Sequence, residues 1–197
     1  MNPGEPLGVV LAGGRSSRMG VSKPTAELGG APLIERPLRA MRDARLEAVV
    51  VAKPGTQLPP LEVPVWREPE EPAHPLTGIV AALEQGDRPV VVCGCDLPFL
   101  PPALLAHLAG RSEPLVVLEA AGRLHPLVGR YTPALVDALR TGRDEQRPMH
   151  EVVTELGAVR ITEPKLQRYG DPDRIVFNVN TPTDLARAEE LLRRLRS

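Results

Sequence analysis

The feature that most restricts how this chain can fold is a short apolar run that breaks off into glycines and cations. Residues 7–11 read as a buried strand, followed by Leu11-Ala12-Gly13-Gly14-Arg15-Ser16-Ser17-Arg18-Met19-Gly20 and then Lys23-Pro24. Glycines let backbone N–H groups approach a phosphate closely, and cationic side chains neutralise its charge. A strand that opens into such a loop near the start of an α/β protein is built to hold a nucleoside triphosphate. The P-loop pattern does not fit, because Gly20 is followed by Val21-Ser22-Lys23, and the dinucleotide fingerprint Gly-x-Gly-x-x-Gly is absent as well. Lysine occurs only at Lys23, Lys53 and Lys165, every other basic residue being arginine. A compact, flexible ammonium at the end of this loop therefore points to Lys23 as a phosphate contact.

The remainder alternates between the two periodicities. Strands are predicted over 7–11, 48–52, 63–66, 89–95, 115–118, 127–131, 158–161 and 175–178. Helices are predicted over 32–42, 76–85, 101–108, 132–140 and 148–156, with a last one from Pro182 onward. That last helix has Thr181 as N-cap and Asp184 at its third position, with Leu185, Ala188, Leu191, Leu192 and Leu195 on one face. The near-continuous apolar run 89–95 is what a central parallel strand covered on both faces requires. Alternating strands and helices specify an α/β fold: a single-domain, three-layer α/β/α arrangement over 1–197 around a mostly parallel, doubly wound sheet.

Composition excludes several classes of partner. A net charge of -1 offers no basic field for nucleic acid or an acidic membrane surface. No apolar stretch approaches the roughly 20 residues of a membrane span. The start, Met1-Asn2-Pro3-Gly4-Glu5, lacks the pattern of a signal peptide, so a cytoplasmic location is expected. Cys93 and Cys95 point to the same face of a strand, which suits neither a disulfide nor, with two thiols alone, a zinc site. Buried packing beside the active centre is their expected role. Abundant proline with scarce asparagine and glutamine fits a heat-adapted source, and a GC-rich genome explains the arginine bias as well.

Candidate chemistry gathers at a few positions. Asp96 ends the run 89–95, and a carboxylate at the C-terminal end of a central strand lies at the ligand crevice of an open α/β sheet. It is the expected Mg²⁺ ligand, since magnesium is held by one or two carboxylates plus substrate phosphates. The run Glu68, Glu70, Glu71 reads as a solvated acidic loop, although one acid could accept the amino and imino donors of guanine. His125 stands just before a strand. Asn178 and Asn180, two of only three asparagines, are expected on one face of a strand end. There they either meet a heterocycle or ribose or simply hold the turn into the last helix.

Taken in order, the glycine-rich loop, Lys23, Gly29-Gly30-Ala31-Pro32-Leu33-Ile34, Pro75-Leu76-Thr77-Gly78, Cys93-Gly94-Cys95-Asp96-Leu97-Pro98, His125-Pro126-Leu127 and Asn178-Val179-Asn180-Thr181-Pro182 resemble the molybdenum cofactor guanylyltransferases, the MobA family. The chain departs from that pattern at Lys53, where family members often carry asparagine, at Glu68, often aspartate, and at His74, often glycine. The resemblance implies transfer of GMP from GTP to the terminal phosphate of molybdenum-molybdopterin, with Mg²⁺ on Asp96. It also implies catalytic roles for Lys23, Arg15 and Asp96, and nucleotide contacts from Leu11, Ala12, Gly13, Gly14, Lys23, Glu68 and Asp96. His125, Asn178 and Asn180 fall on the pterin side. Transient contacts with molybdopterin-synthesis proteins or apo-molybdoenzymes would follow. A CTP-dependent molybdopterin enzyme, a sugar-phosphate nucleotidyltransferase and a non-catalytic delivery module are the alternatives.

Overall fold

The computed structural model describes residues 4–14 and 22–195. Its first strand, β1 (Leu7–Leu11), leads through a 3-10 turn at Lys23–Thr25 to a small hairpin of β2 (Glu27–Leu28) and β3 (Ala31–Pro32). Then come α1 (Glu35–Asp43), β4 (Ala48–Ala52), β5 (Val65–Arg67), α2 (Leu76–Gly86), β6 (Val90–Gly94) and α3 (Pro102–Ala109). The second half holds β7 (Leu115–Ala120), β8 (Arg123–Tyr131), α4 (Val136–Asp144), α5 (Met149–Glu155) and β9 (Val159–Ile161). Short α6 (Glu163–Leu166) and α7 (Pro172–Ile175) precede the closing α8 (Pro182–Arg194).

Seven strands form one sheet in the order β5-β4-β1-β6-β8-β7-β9, and only β8 runs antiparallel to its neighbours. Side chains alternate between its faces, as strand geometry demands. Val10, Val50, Val91 and Cys93 pack under α1 and α3, whereas Val9, Val49, Val51, Val90 and Val92 pack under α2, α4 and α5. Helices thus cover both faces, and the expected three-layer α/β architecture is present. From β1 the chain winds outward through β4 to β5, then returns to lay β6 on the other side of β1. The C-terminal ends of β1 and β6 therefore flank the point where the winding reverses, which is where open α/β sheets bind ligands. Among the described residues no helix is long and apolar enough to cross a membrane.

The helix expected over 32–42 begins only at Glu35, because Pro32 belongs to β3. Gly29 and Gly30 have φ of 65° and 79°, the pair of positive values that a tight two-residue hairpin loop needs. The strand expected over 175–178 is absent: Ile175 closes α7, whose Asp171 cap accepts the Asp173 N–H. The apolar Ile175 and Val176 are buried against the α1/α3 face and half-buried Phe177 packs on the cluster that includes α8, with no ladder partner. Contiguous burial there imitates a strand without being one. His125 lies inside β8 rather than ahead of it, since β8 starts at Arg123. The capping box of Thr181 and Asp184 opens α8 as expected.

Candidate active site

A cavity of about 370 Å³ opens at the reversal point, between the ends of β1 and β6 and the start of α2. Leu11 pairs with Gly94 in register, and the Cys95 N–H donates to the Leu11 carbonyl at 3.0 Å. The glycine-rich segment and the turn bearing Asp96 are thereby held side by side. Gly13 and Gly14 line the cavity, whereas Ala12 is buried behind its wall with its N–H bonded to the Val51 carbonyl at 2.8 Å. Arg15 lies outside the described residues, as do residues 16–21 of the same loop.

One end of the cavity is built around Glu68. The Glu68 N–H extends the sheet by donating to the Ala52 carbonyl, and the side chain turns inward to 7% exposure, while Glu70 and Glu71 stay exposed. The reading of all three acids as a solvated loop is thus corrected for Glu68. A Cβ at Gly13 would sit 1.6 Å from its Oε1, and one at Gly78 would sit 2.8 Å from its Oε2. Only glycine at both positions lets β1 and α2 close around this carboxylate. Burial holds the Glu68 carboxyl above its ordinary range, opposed in part by the Lys53 ammonium. No donor among the described residues hydrogen-bonds it. Glu68 lines the cavity, so a molecule entering it can supply the donors that the protein does not.

A stability prediction follows from the sign of that shift. An acid whose affinity for protons is higher in the folded state makes stability fall as pH rises from the ordinary carboxylate range through the raised value. Glu68→Gln removes this dependence. The variant is expected to melt higher than the wild type at pH 8 and to lose most of that advantage at pH 4, as thermal denaturation at the two pH values would record. Equal melting temperatures at pH 8 would mean that the carboxylate carries no penalty.

Lys23, Asp96 and Asn180 meet at the opposite end. Lys23 Nζ lies 3.1 Å from Asp96 Oδ2 and also donates to Asn180 Oδ1. The side chains of Lys23 and Asp96 are 15% and 21% exposed, so water screens the pair only partly. Three distant segments converge to make it. The turn at Lys23–Thr25 is tied down by the Leu33 N–H, which donates to the Ala26 carbonyl at 2.7 Å, and Ala26, Leu28 and Leu33 cluster with Ala188 and Leu192 of α8. The Val179 N–H donates to the Asp96 carbonyl at 2.9 Å, and the Asn180 N–H to Asp184 Oδ2 at 3.1 Å. Asn178 is exposed and Asn180 half-buried, in an irregular segment rather than on one strand face.

On the far side, β8 breaks register. Val117 pairs with Gly129 but Leu118 pairs with His125, so residues 126–128 bulge out of the ladder. The hydroxyl of buried Tyr131 donates to the Pro126 carbonyl at 2.7 Å and ties the bulge back. Leu127 is delivered to the cavity wall with 37% exposure. His125 sits at the base of the bulge with Nε2 3.2 Å from the Ala120 carbonyl, its pKa lowered by burial, and does not line the cavity. A proline within a strand is the signal that could have revealed this bulge. Cys93 and Cys95 are buried and unbridged, as expected, and burial raises both thiols so that they stay neutral.

Comparison with known proteins agrees with this geometry. The family model described as the MobA-like NTP transferase domain matches residues 8–159. A molybdenum cofactor guanylyltransferase of Rhizobium leguminosarum bv. trifolii is 34% identical over 204 residues, spanning 98% of this chain and 96% of that relative. One from Cereibacter sphaeroides is 35% identical over 200 residues, spanning 95% and 97%. Among solved structures, molybdopterin-guanine dinucleotide biosynthesis protein A from Archaeoglobus fulgidus superposes with a TM-score of 0.76 at 25% identity, over 95% of this chain and 98% of that one. The 2-C-methyl-D-erythritol 4-phosphate cytidylyltransferase of Thermus thermophilus shares the fold, with a TM-score of 0.66 at 24% identity over 95% and 99%.

Proposed function

The chain belongs to the MobA-like NTP transferase family, and from that premise we propose that it transfers GMP from GTP to the terminal phosphate of molybdenum-molybdopterin. The observation that carries this reading is the polarity of the cavity: at one end an inward-turned acid, Glu68, that no donor among the described residues bonds, and at the other the Lys23–Asp96 pair. Guanine presents an imino and an amino N–H side by side, the complement of an unpaired carboxylate. Glu68 accepts them, its carboxylate seated against Gly13 and Gly78 where any side chain would collide with it. Cytosine has one such amino group and no imino N–H, so it would leave Glu68 half satisfied.

The triphosphate then runs toward Lys23. Mg²⁺ suits the hard oxygen donor of Asp96, which is accessible from the cavity. The substrate's own phosphates would complete the coordination that Asp96 begins. When bound, the cation would neutralise charge around the α-phosphoryl group. Lys23 Nζ stabilises the equatorial oxygens there, and Arg15 is assigned to the departing pyrophosphate. An oxygen of the acceptor's terminal phosphate attacks the α-phosphorus. The bond from that phosphorus to the bridging oxygen breaks, and pyrophosphate leaves with the electron pair. Catalysis is positioning and charge stabilisation, with no covalent enzyme intermediate. The acceptor approaches from the side of Leu127, with His125 two residues before it at the base of the bulge; Asn180, bonded to Lys23, is assigned to the acceptor side as well, together with the exposed Asn178. The reaction is assigned to the cytoplasm, where GTP is available.

Incubating the protein with Mg²⁺, molybdopterin with and without molybdenum, and each of the four NTPs in turn tests this directly. A guanine dinucleotide product and pyrophosphate from GTP alone are expected. A cytosine product would transfer the protein to the CTP-dependent class, and GTP binding without turnover would favour a delivery module.

A further inference from the structure

We infer that His74 is a positioning residue for the nucleotide base, acting through both of its ring nitrogens and with its proton fixed on Nε2. The proposal rests on reading the cavity as the nucleotide site. Ala73, His74 and Pro75 line the same cavity as Glu68, and α2 begins immediately after them. The Leu76 N–H, the first of that helix, donates to His74 Nδ1 at 3.2 Å. His74 Nε2 lies 2.8 Å from the Arg147 carbonyl, in the loop between α4 and α5.

These two contacts determine the tautomer. A backbone N–H can only donate, so Nδ1 must present a lone pair; a carbonyl can only accept, so Nε2 must carry the hydrogen. Both nitrogens are therefore committed to the protein and neither is free for a base. The ring instead spans from the first turn of α2 to a separate loop, and that loop is itself fixed. The Arg147 N–H donates to the Gly142 carbonyl at 3.0 Å, its guanidinium pairs with Glu155, and Gly142 leaves room for Val152 to close α4 onto α5. The near end is reinforced by the Thr77 hydroxyl, which donates to the Pro72 carbonyl at 2.8 Å.

The first turn of α2 is also what Glu68 leans on, since its Oε2 rests against Gly78. A shift of this turn therefore moves the wall and the carboxylate together. Lys23 and Asp96 are held by other segments, so the effect should fall on nucleotide binding and spare the chemical step. The contact from residue 74 to the N–H two positions on is the geometry asparagine adopts in an Asx turn, so His74→Asn can rebuild the near bond but is too short to reach Arg147.

The test compares wild type, His74→Ala and His74→Asn, using whichever of the four NTPs the wild type prefers. A preference other than GTP overturns the guanine assignment without touching this comparison. Losing neutral hydrogen bonds at both ends should raise KM and Kd for the nucleotide about tenfold in His74→Ala, with kcat within about twofold. His74→Asn should recover about half of that loss on a logarithmic scale. The ¹⁵N spectrum of histidine-labelled protein should show the His74 hydrogen on Nε2 and a lone pair on Nδ1, assigned by the signal's disappearance in the variants. Nucleotide affinity unchanged in His74→Ala, a fall in kcat at constant KM, a His74→Asn as weak as His74→Ala, or a proton on Nδ1 would each overturn the proposal. A lower melting temperature with unchanged affinity does so as well.

Discussion

Replacing Asp96 by asparagine is expected to lower the rate of GMP transfer by at least about 10³ while leaving the fold intact. The exchange is nearly isosteric, and asparagine's Oδ1 can still accept from Lys23, so the local packing is preserved. The Val179 N–H bonds the backbone carbonyl of residue 96, which the substitution does not alter. What disappears is the one formal negative charge at the end of β6 that faces the cavity. Losing it would remove the anchor proposed for Mg²⁺ and several kcal/mol of transition-state charge stabilisation with it. Circular dichroism and the melting curve should match the wild type. Pyrophosphate release at saturating Mg²⁺ and GTP is the decisive measurement, and near-wild-type turnover would place the metal elsewhere.

Part of this site is written locally and part is not. Asp96 and the glycine-rich loop could be placed from sequence because each follows a strong apolar run, and the ends of central parallel strands are where ligands collect. Lys23 stood out through the scarcity of lysine. Glu68 is singled out only by the family resemblance, because three acids within four residues look alike in local pattern until the chain folds. Its burial depends on Gly13 and Gly78, contributed by two other segments. Asn180 was misassigned to a strand face for the same reason. Its partner, Lys23, is 157 residues away, and no local period encodes that contact. The β8 bulge and the unladdered run from Ile175 show the complementary failure. Hydrophobic periodicity reports burial, and burial alone does not distinguish a strand from an irregular segment that packs equally well.

Lys23→Ala is expected to reduce turnover by about 10²–10³ and to weaken GTP binding much less. On the proposed reading, many groups along the cavity would hold the triphosphate in the ground state, of which Lys23 is one. As the acceptor oxygen closes on the α-phosphorus, negative charge builds on the equatorial oxygens, and an ammonium only partly exposed to water interacts with that added charge more strongly than with the charge already present. Its position is prepared in advance. Asp96 and Asn180 hold Nζ from two sides, so little reorganisation is needed when the reaction proceeds. Arginine should not substitute, because a planar guanidinium is too broad for a point held between two oxygens, and Lys23→Arg is expected to remain at least about tenfold slow. Single-turnover kinetics beside equilibrium binding of GTP separates the contributions. A loss of affinity equal to the loss in kcat/KM, with kcat unchanged, would make Lys23 a ground-state ligand and shift the burden of transition-state stabilisation onto Asp96 and the loop that carries Arg15.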